Sequence, residues 1–340
     1  MHHELNVVWF VLLGILFAGY AILDGFDFGV GMLYLLVKDD AERRLLLNSI
    51  GPVWDGNEVW LVTGGGGMFA AFPNVYASLF SGFYPVFMLL LLALIFRGVS
   101  IEFRSKEPMH WWRNLWDTNF FIGSILAALL LGAFAGNLAY GVALNSHGTY
   151  IGGFWALLNP YALLVGITTV ALFMMHGSIY LVMKTEGNLH DRLRGWVNNS
   201  IIFFIICYAT TTMATLLYDR HLTSEIRNHP VFFVVAILNM LAIANIPREI
   251  FHKRYFRAFL SSCFSIVALL SLLAIGLFPN IVYARNNPAN SLTIYNASSS
   301  PLTLKIMFII ALIGMPIVLA YTTYVYWLFR GKVRMDGHSY

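Results

Sequence analysis

The sequence predicts an all-α polytopic membrane protein of nine transmembrane helices, and three observations carry that expectation. Composition is the first: 59% of the 340 residues are hydrophobic and only 11% are charged, against about a quarter charged in a soluble domain. Mean hydropathy is correspondingly high, at +0.70. The second is a series of apolar segments, each near the roughly 20 residues that a bilayer core requires of a helix. The third is the placement of the cations between those segments.

The segments can be taken in chain order. Residues 7–37 are apolar throughout but carry Asp24 and Asp27, with Gly25, Gly29 and Gly31 between and after them. Residues 48–72 hold Asp55, Glu58 and the run Gly64, Gly65, Gly66 and Gly67. Residues 75–98 are continuously apolar. Residues 116–140 follow "MHWWRNLWD", whose tryptophans suit an interfacial belt. Residues 160–183 contain His176, and 197–218 and 257–279 are uninterrupted. Residues 231–247 are short, a length that tilt or local thinning accommodates. Residues 303–329 close the series. The expectation is one transmembrane domain over 1–340.

Orientation follows from charge. All but four of the 21 Lys and Arg residues lie after the first, third, fifth and seventh segments or at the C-terminus; Arg220, Arg227, Arg285 and Lys305 are the exceptions. Cations concentrate on the cytoplasmic side, so the N-terminus is expected outside (periplasmic) and the C-terminus inside. The same distribution argues against nucleic acid as the reason for a pI near 9.0. Cys207 and Cys263 lie within apolar stretches and make no disulfide framework or zinc spacing. The start has no cationic n-region or A-x-A site, so no removable signal peptide is expected. The long polar stretches "GNLAYGVALNSHGTYIGGFWALLNP" and "YARNNPANSLTIYNASSSPL" are expected to fold over the outer surface.

The acids inside the segments need a reason, because a carboxylate in lipid is costly. Of 17 acidic residues, only Asp24, Asp27, Asp55 and Glu58 lie well inside. Residues three apart share a helix face, so each pair points one way. In an antiparallel hairpin, partners at one depth have a constant sum of residue numbers, and Asp27 with Asp55 matches Asp24 with Glu58. Two rungs of carboxyls are expected, roughly 10–15 Å from the cytoplasmic edge and about 5 Å deeper. Like charges at one depth favour shared protons, and the ladder reads as a proton path. The plainer reading has these acids hydrogen-bond Asn57, a Trp indole or backbone, or pair with an arginine from a partner. Trp54 and Trp60 flank the acids and suit either a partner interface or core packing. The glycine run suits close helix crossing and lacks the Lys-Ser/Thr of a nucleotide loop.

Some chemistry is missing. A haem needs an axial ligand at membrane depth, and only His176 lies there, where a lone histidine is more often hydrogen-bonded packing. There is no Walker motif, cysteine cluster or serine nucleophile. No catalytic residue and no metal site are expected in this chain.

"DGFDFGVGML", "ERRLLLNSIGPVWDGNEVWLVTGGGGMFAAFPNVYASLFSGFY", "FRSKEPMHWWRNLWD", "KTEGNLHDR" and "SLTIYNASSSPLTLKIM" resemble, in order and over nearly the whole chain, subunit II of cytochrome bd-type quinol oxidase. The resemblance implies nine helices, as two four-helix bundles plus one peripheral helix. It implies a homologous-fold partner, subunit I, holding two b-type haems and one haem d, with none ligated by this chain. Quinol would be oxidised and dioxygen reduced to water, with protons drawn from the cytoplasm. The family's proton-path acids fall on Asp24, Asp27 and Asp55, and Glu58 stands where the family also accepts Gln. The implied setting is a bacterial or archaeal cytoplasmic membrane, with lipid, quinone and the haem subunit as partners, room for a small accessory membrane subunit, and no nucleic acid. Two other classes compete: an independent proton-coupled transporter, which the lack of matching acids in later segments disfavours, and a scaffold whose acids are merely paired.

Overall fold

A computed structural model describes residues 2–333 apart from 219 and 229; Arg334, one of the C-terminal cations above, lies outside them. The described residues form twelve α-helices and one small antiparallel ribbon. The helices are α1 (His2–Tyr34), α2 (Asp40–Ile50), α3 (Trp54–Ala71), α4 (Pro73–Gly82), α5 (Tyr84–Phe103), α6 (His110–Tyr140), α7 (Pro160–Lys184), α8 (Gly187–Tyr218), α9 (Arg220–Asn228), α10 (Phe233–Phe251), α11 (Tyr255–Leu277) and α12 (Pro301–Leu328). The ribbon pairs β1 (Asn280–Val282) with β2 (Leu292–Thr293).

Among the described residues, eight helices are long and apolar enough to cross a membrane: α1, α5, α6, α7, α8, α10, α11 and α12. The second predicted segment, 48–72, is not among them. Proline explains its shape. Pro52 has no N–H to continue a helix and disfavours helical backbone at the residue before it. The segment therefore divides, α2 ending at Ile50 and α3 starting at Trp54. Within α3, Asp55, Asn57, Glu58 and five glycines dilute the apolar character that the length alone would supply. Segment 75–98 is likewise two helices, broken at Phe83 ahead of Pro85 in the first turn of α5.

Helix α1 is central, touching α3, α6, α7, α11 and α12. Its crossing with α7 is made by two glycines. A Cβ on Gly29 would lie 2.7 Å from the Cα of Gly177, closer than real side chains come. Helix α3 runs antiparallel along α1, with Gly64 against Phe17 and Gly67 against Leu13. Gly65 and Gly66 face open space, so only half of the glycine run serves the predicted crossing.

At one end of the bundle the two long polar connections knit together, with Val142 N donating to Tyr283 O and Arg285 N to Val142 O, both at 3.0 Å. Ser299 ties them to the end of α3 through Ala71 O at 2.9 Å. At the other end, Lys332 Nζ donates to Thr185 O at 2.8 Å beyond α7, and Lys184 Nζ to Phe329 O at 2.7 Å beyond α12. Cations at helix C-termini satisfy carbonyls that no longer have an intrahelical partner.

Candidate functional site

Three helices bring charge to one buried point. Arg97 of α5 and Asp24 and Asp27 of α1 have no exposed side-chain surface. The guanidinium grips Asp24 with both ends, Nη1 donating to Oδ2 at 2.9 Å and Nη2 to Oδ1. Nη2 also lies 4.0 Å from Asp27 Oδ2, and Nη1 lies 3.5 Å from Glu58 Oε1. The Arg97 head sits over the Phe28 ring, 4.3 Å from its centroid. Gly123 of α6 makes room for this: a Cβ there would be 2.8 Å from Ala93 O and 3.3 Å from Arg97 N. The Glu58 side chain keeps 27% of its surface exposed, and the pocket meets its surroundings on that side.

Asn57 supplies what Arg97 does not. Its Nδ2 donates to Asp27 Oδ2 at 2.7 Å and to Leu23 O at 3.1 Å, while its Oδ1 accepts from Tyr326 Oη of α12 at 2.8 Å. Asp27 Oδ1 is left without a hydrogen bond. Three carboxyls therefore face one guanidinium, in a setting where uncompensated charge is expensive.

The predicted rungs form only in part. Asp24 and Glu58 do come together, joined through Arg97. Asp55 does not meet Asp27: it is exposed, and Asn57 takes the position opposite Asp27. The geometry of α3 explains the miss. Its buried face runs through Asn57, Trp60, Gly64 and Met68. At about 100° per residue, Glu58 lies about 100° from Asn57 and Asp55 about 160°. The two acids share a side, but not the side packed on α1. Asp55 instead heads an exposed stripe of Val59, Val62, Gly66 and Phe69. Trp60 fills the space beside Gly19 on α1, and Trp54 lies over Gly98 on α5, so both tryptophans pack within the chain.

Arg97 itself was counted above only as an edge cation. A second arginine cluster, with no spacing signal in the sequence, surrounds Asp117. Asp117 of α6, 1% exposed, accepts from Arg104 Nε at 2.6 Å and from Arg43 Nη1 at 2.7 Å. Arg104 Nη2 donates to Asp40 of α2 at 2.6 Å, and Arg113 Nη1 to the same carboxyl at 3.2 Å. Partial burial pushes Asp40 up, but the hydrogen-bonded Arg104, with Arg113 and Arg44 nearby, outweighs it and holds this carboxyl below the usual range.

His176 lies in α7, flat against the Phe259 ring at 4.8 Å. Its Nε2 is 3.0 Å from Ile22 O and its Nδ1 is 2.7 Å from Ser262 Oγ. A carbonyl only accepts, so Nε2 carries the hydrogen toward Ile22, while the one hydroxyl hydrogen of Ser262 is shared between Nδ1 and Phe259 O, which also lies at 2.7 Å.

Comparison with known proteins follows the same lines. Residues 5–329 match the family model described as cytochrome bd terminal oxidase subunit II. The chain is 36% identical to cytochrome bd-I ubiquinol oxidase subunit 2 of Escherichia coli K12, over 98% of this chain and 97% of that protein. It is 35% identical to cytochrome bd ubiquinol oxidase subunit 2 of Bacillus subtilis 168, over 97% of each. The fold is that of a chain in the bd oxidase from Geobacillus thermodenitrificans, with a TM-score of 0.80 at 16% identity, covering 96% of this chain and 98% of that one. The chain belongs to the cytochrome bd terminal oxidase subunit II family, and it is a subunit of a quinol:oxygen oxidoreductase.

Proposed function

We propose that this subunit ligates no haem, braces the haem-bearing subunit I of a bacterial inner-membrane oxidase, and passes protons to it through the acids of α1 and α3. The observation that carries the reading is the ratio at Arg97, where Asp24, Asp27 and Glu58 share one cation at membrane depth. A structural ion pair needs one acid; the surplus carboxyls are suited to taking up and releasing protons.

The rest of the architecture is consistent with that role. Helix α3 is the ninth span, its polar first turns sheltered along α1, and the cation-rich connections lie in the cytoplasm. Protons enter from the cytoplasmic end past Asp55 and Glu58, the two acids with exposed surface, and exchange at the buried Asp27 and Asp24. The partner covers the stripe below Asp55 and the outer face of α12, a helix in which Leu304 is the buried residue. With both His176 nitrogens engaged, this histidine is not free to ligate iron, which supports placing two b-type haems and one haem d in subunit I. The haems and the quinol supply the redox chemistry there; the residues of this chain hold and move protons. Quinone, lipid and a small accessory subunit would bind the assembled complex.

Asp27→Asn and Asp55→Asn oxidases, purified with full haem content, test the reading. Each should consume oxygen more slowly by on the order of 10²-fold, the scale of losing a positioned proton-transfer group. Normal rates across the pH range in both would refute it.

A further inference from the structure

Tyr326 belongs to α12, a helix with Leu304 as its buried residue, yet its hydroxyl reaches the acid pocket. It donates to Asn57 Oδ1 at 2.8 Å, and the amide's two hydrogens go to Asp27 Oδ2 at 2.7 Å and Leu23 O at 3.1 Å. Every polar atom of the Asn57 side chain is thereby used. The Leu23 carbonyl can only accept, so it fixes which end of the amide faces α1. The tyrosine hydroxyl closes the remaining valence from the opposite side. The Tyr326 ring stands edge-on to Phe26 at 6.5 Å, which holds the hydroxyl in place.

We propose that Tyr326 is a positioning residue for proton transfer: by locking the Asn57 amide against Asp27 Oδ2, it reserves Oδ1 as the atom that takes and gives the proton. This rests on the proton-delivery reading above. The geometry of Asp27 supports it directly. Oδ2 already accepts from Asn57 and lies 4.0 Å from Arg97, so a proton placed there would confront a donor and a cation. Oδ1 has no partner. The charged and titratable groups around Asp27 are Asp24 on its own helix, Glu58 on α3, Arg97 on α5, Tyr180 on α7 and Tyr326 on α12. Tyr180 spends its hydroxyl on Ser49 O at 2.6 Å, which leaves Tyr326 as the tyrosine that acts on the amide.

The lock also links two parts of the molecule. Helix α12 touches α1 and α3 and little else, and its outer face is the surface proposed for subunit I. A shift of α12 on assembly is felt at Asp27 through a single hydroxyl.

Tyr326→Phe in the assembled oxidase removes that hydroxyl and keeps the ring. Turnover per haem should fall about 3- to 10-fold, the range one neutral hydrogen bond commands, with a displaced pH profile and unchanged haem content. In an Asn57→Ala background the same change should have no further effect. In infrared difference spectra the Asp27 carboxyl band, identified by its loss in Asp27→Asn, should move in Tyr326→Phe. The proposal is overturned by an equal loss in both backgrounds, by an unmoved band and profile, or by failure of Tyr326→Phe to assemble. If Asp27→Asn turns over normally, the proton path fails; the infrared shift then still reports whether Tyr326 positions the amide.

Discussion

Arg97 and Arg104 lie about two helical turns apart on α5 and its short 3-10 extension, and each is buried against aspartate. Their surroundings differ in charge ratio. Around Arg97 are three carboxyls and no other cation within ion-pair reach among the described residues. Around Arg104, three guanidiniums meet two carboxyls. The atoms left unpartnered follow suit: the acceptors Asp27 Oδ1 and Glu58 Oε1 lack hydrogen bonds in the first, as does Arg97 Nε, whereas Arg104 Nη1 and Arg113 Nε are spare donors in the second. With the same chemical groups, a surplus of cations makes a clamp, and a surplus of acids makes the site proposed above for proton transfer. The clamp ties α2, α6 and the end of α5 beside the pocket, so that Arg97 is presented from a fixed base.

Removing the central cation is the most severe way to break this comparison. Arg97→Leu leaves carboxyls buried without counter-charge, and losing one partner of a buried pair costs about 3–5 kcal/mol. The expected result is near-complete loss of assembled oxidase from membranes, read by haem absorbance and immunoblot. Asp24→Leu introduced together with Arg97→Leu should recover part of the assembly, because an apolar pair of similar volume is tolerated where a lone charge is not. If Arg97→Leu alone assembles normally, the acid pocket is not held by that charge.

A smaller effect is expected at the clamp. Asp117→Asn keeps the shape of the side chain but removes the charge that Arg43 and Arg104 share. Thermal unfolding of the detergent-solubilised complex should occur at lower temperature, by an amount in the range of about 1–3 kcal/mol for a buried hydrogen-bonded charge. Turnover per intact haem should stay near the parent value. A variant that kept its stability but lost its turnover would reverse the roles assigned to the two clusters.

The contrast also shows what could be read from residues alone. Acids at membrane depth stood out because lipid penalises them, and the close approach of α1 to its neighbours was marked by glycines such as Gly29. Arg97 was hidden because a tally of cations treats every arginine near a segment end as an edge marker, whether or not it turns inward. The breaks at Pro52 and Phe83 were hidden because hydropathy summed over a window does not register a missing N–H. The direction of Asp55 depended on which side of α3 packs against α1, and Asn57, a residue of the same polarity, decided it. Tyr326 lies 269 residues from the asparagine it holds, a separation over which no spacing rule operates.

The mildest test concerns Asp40, the exposed member of the clamp, whose side chain keeps 47% of its surface against 1% for Asp117. Both bond to Arg104, but water and salt screen Asp40, and exposed pairs contribute about 0–1 kcal/mol. Asp40→Asn should therefore alter stability within that range, well below Asp117→Asn, and the difference should shrink further at high ionic strength. Its pH dependence has a definite sign. The arginines hold the Asp40 carboxyl below the usual range in the folded chain, so its contribution is fully present above the unfolded aspartate value of about 3.9. It is lost as the pH falls through the lower, folded value. Between neutral pH and that limit, parent and Asp40→Asn should keep a constant gap in unfolding temperature, and the gap should close only in more acidic solution. A gap that closed near neutral pH would mean that the guanidiniums do not stabilise this carboxylate, and that the clamp depends on Asp117 alone.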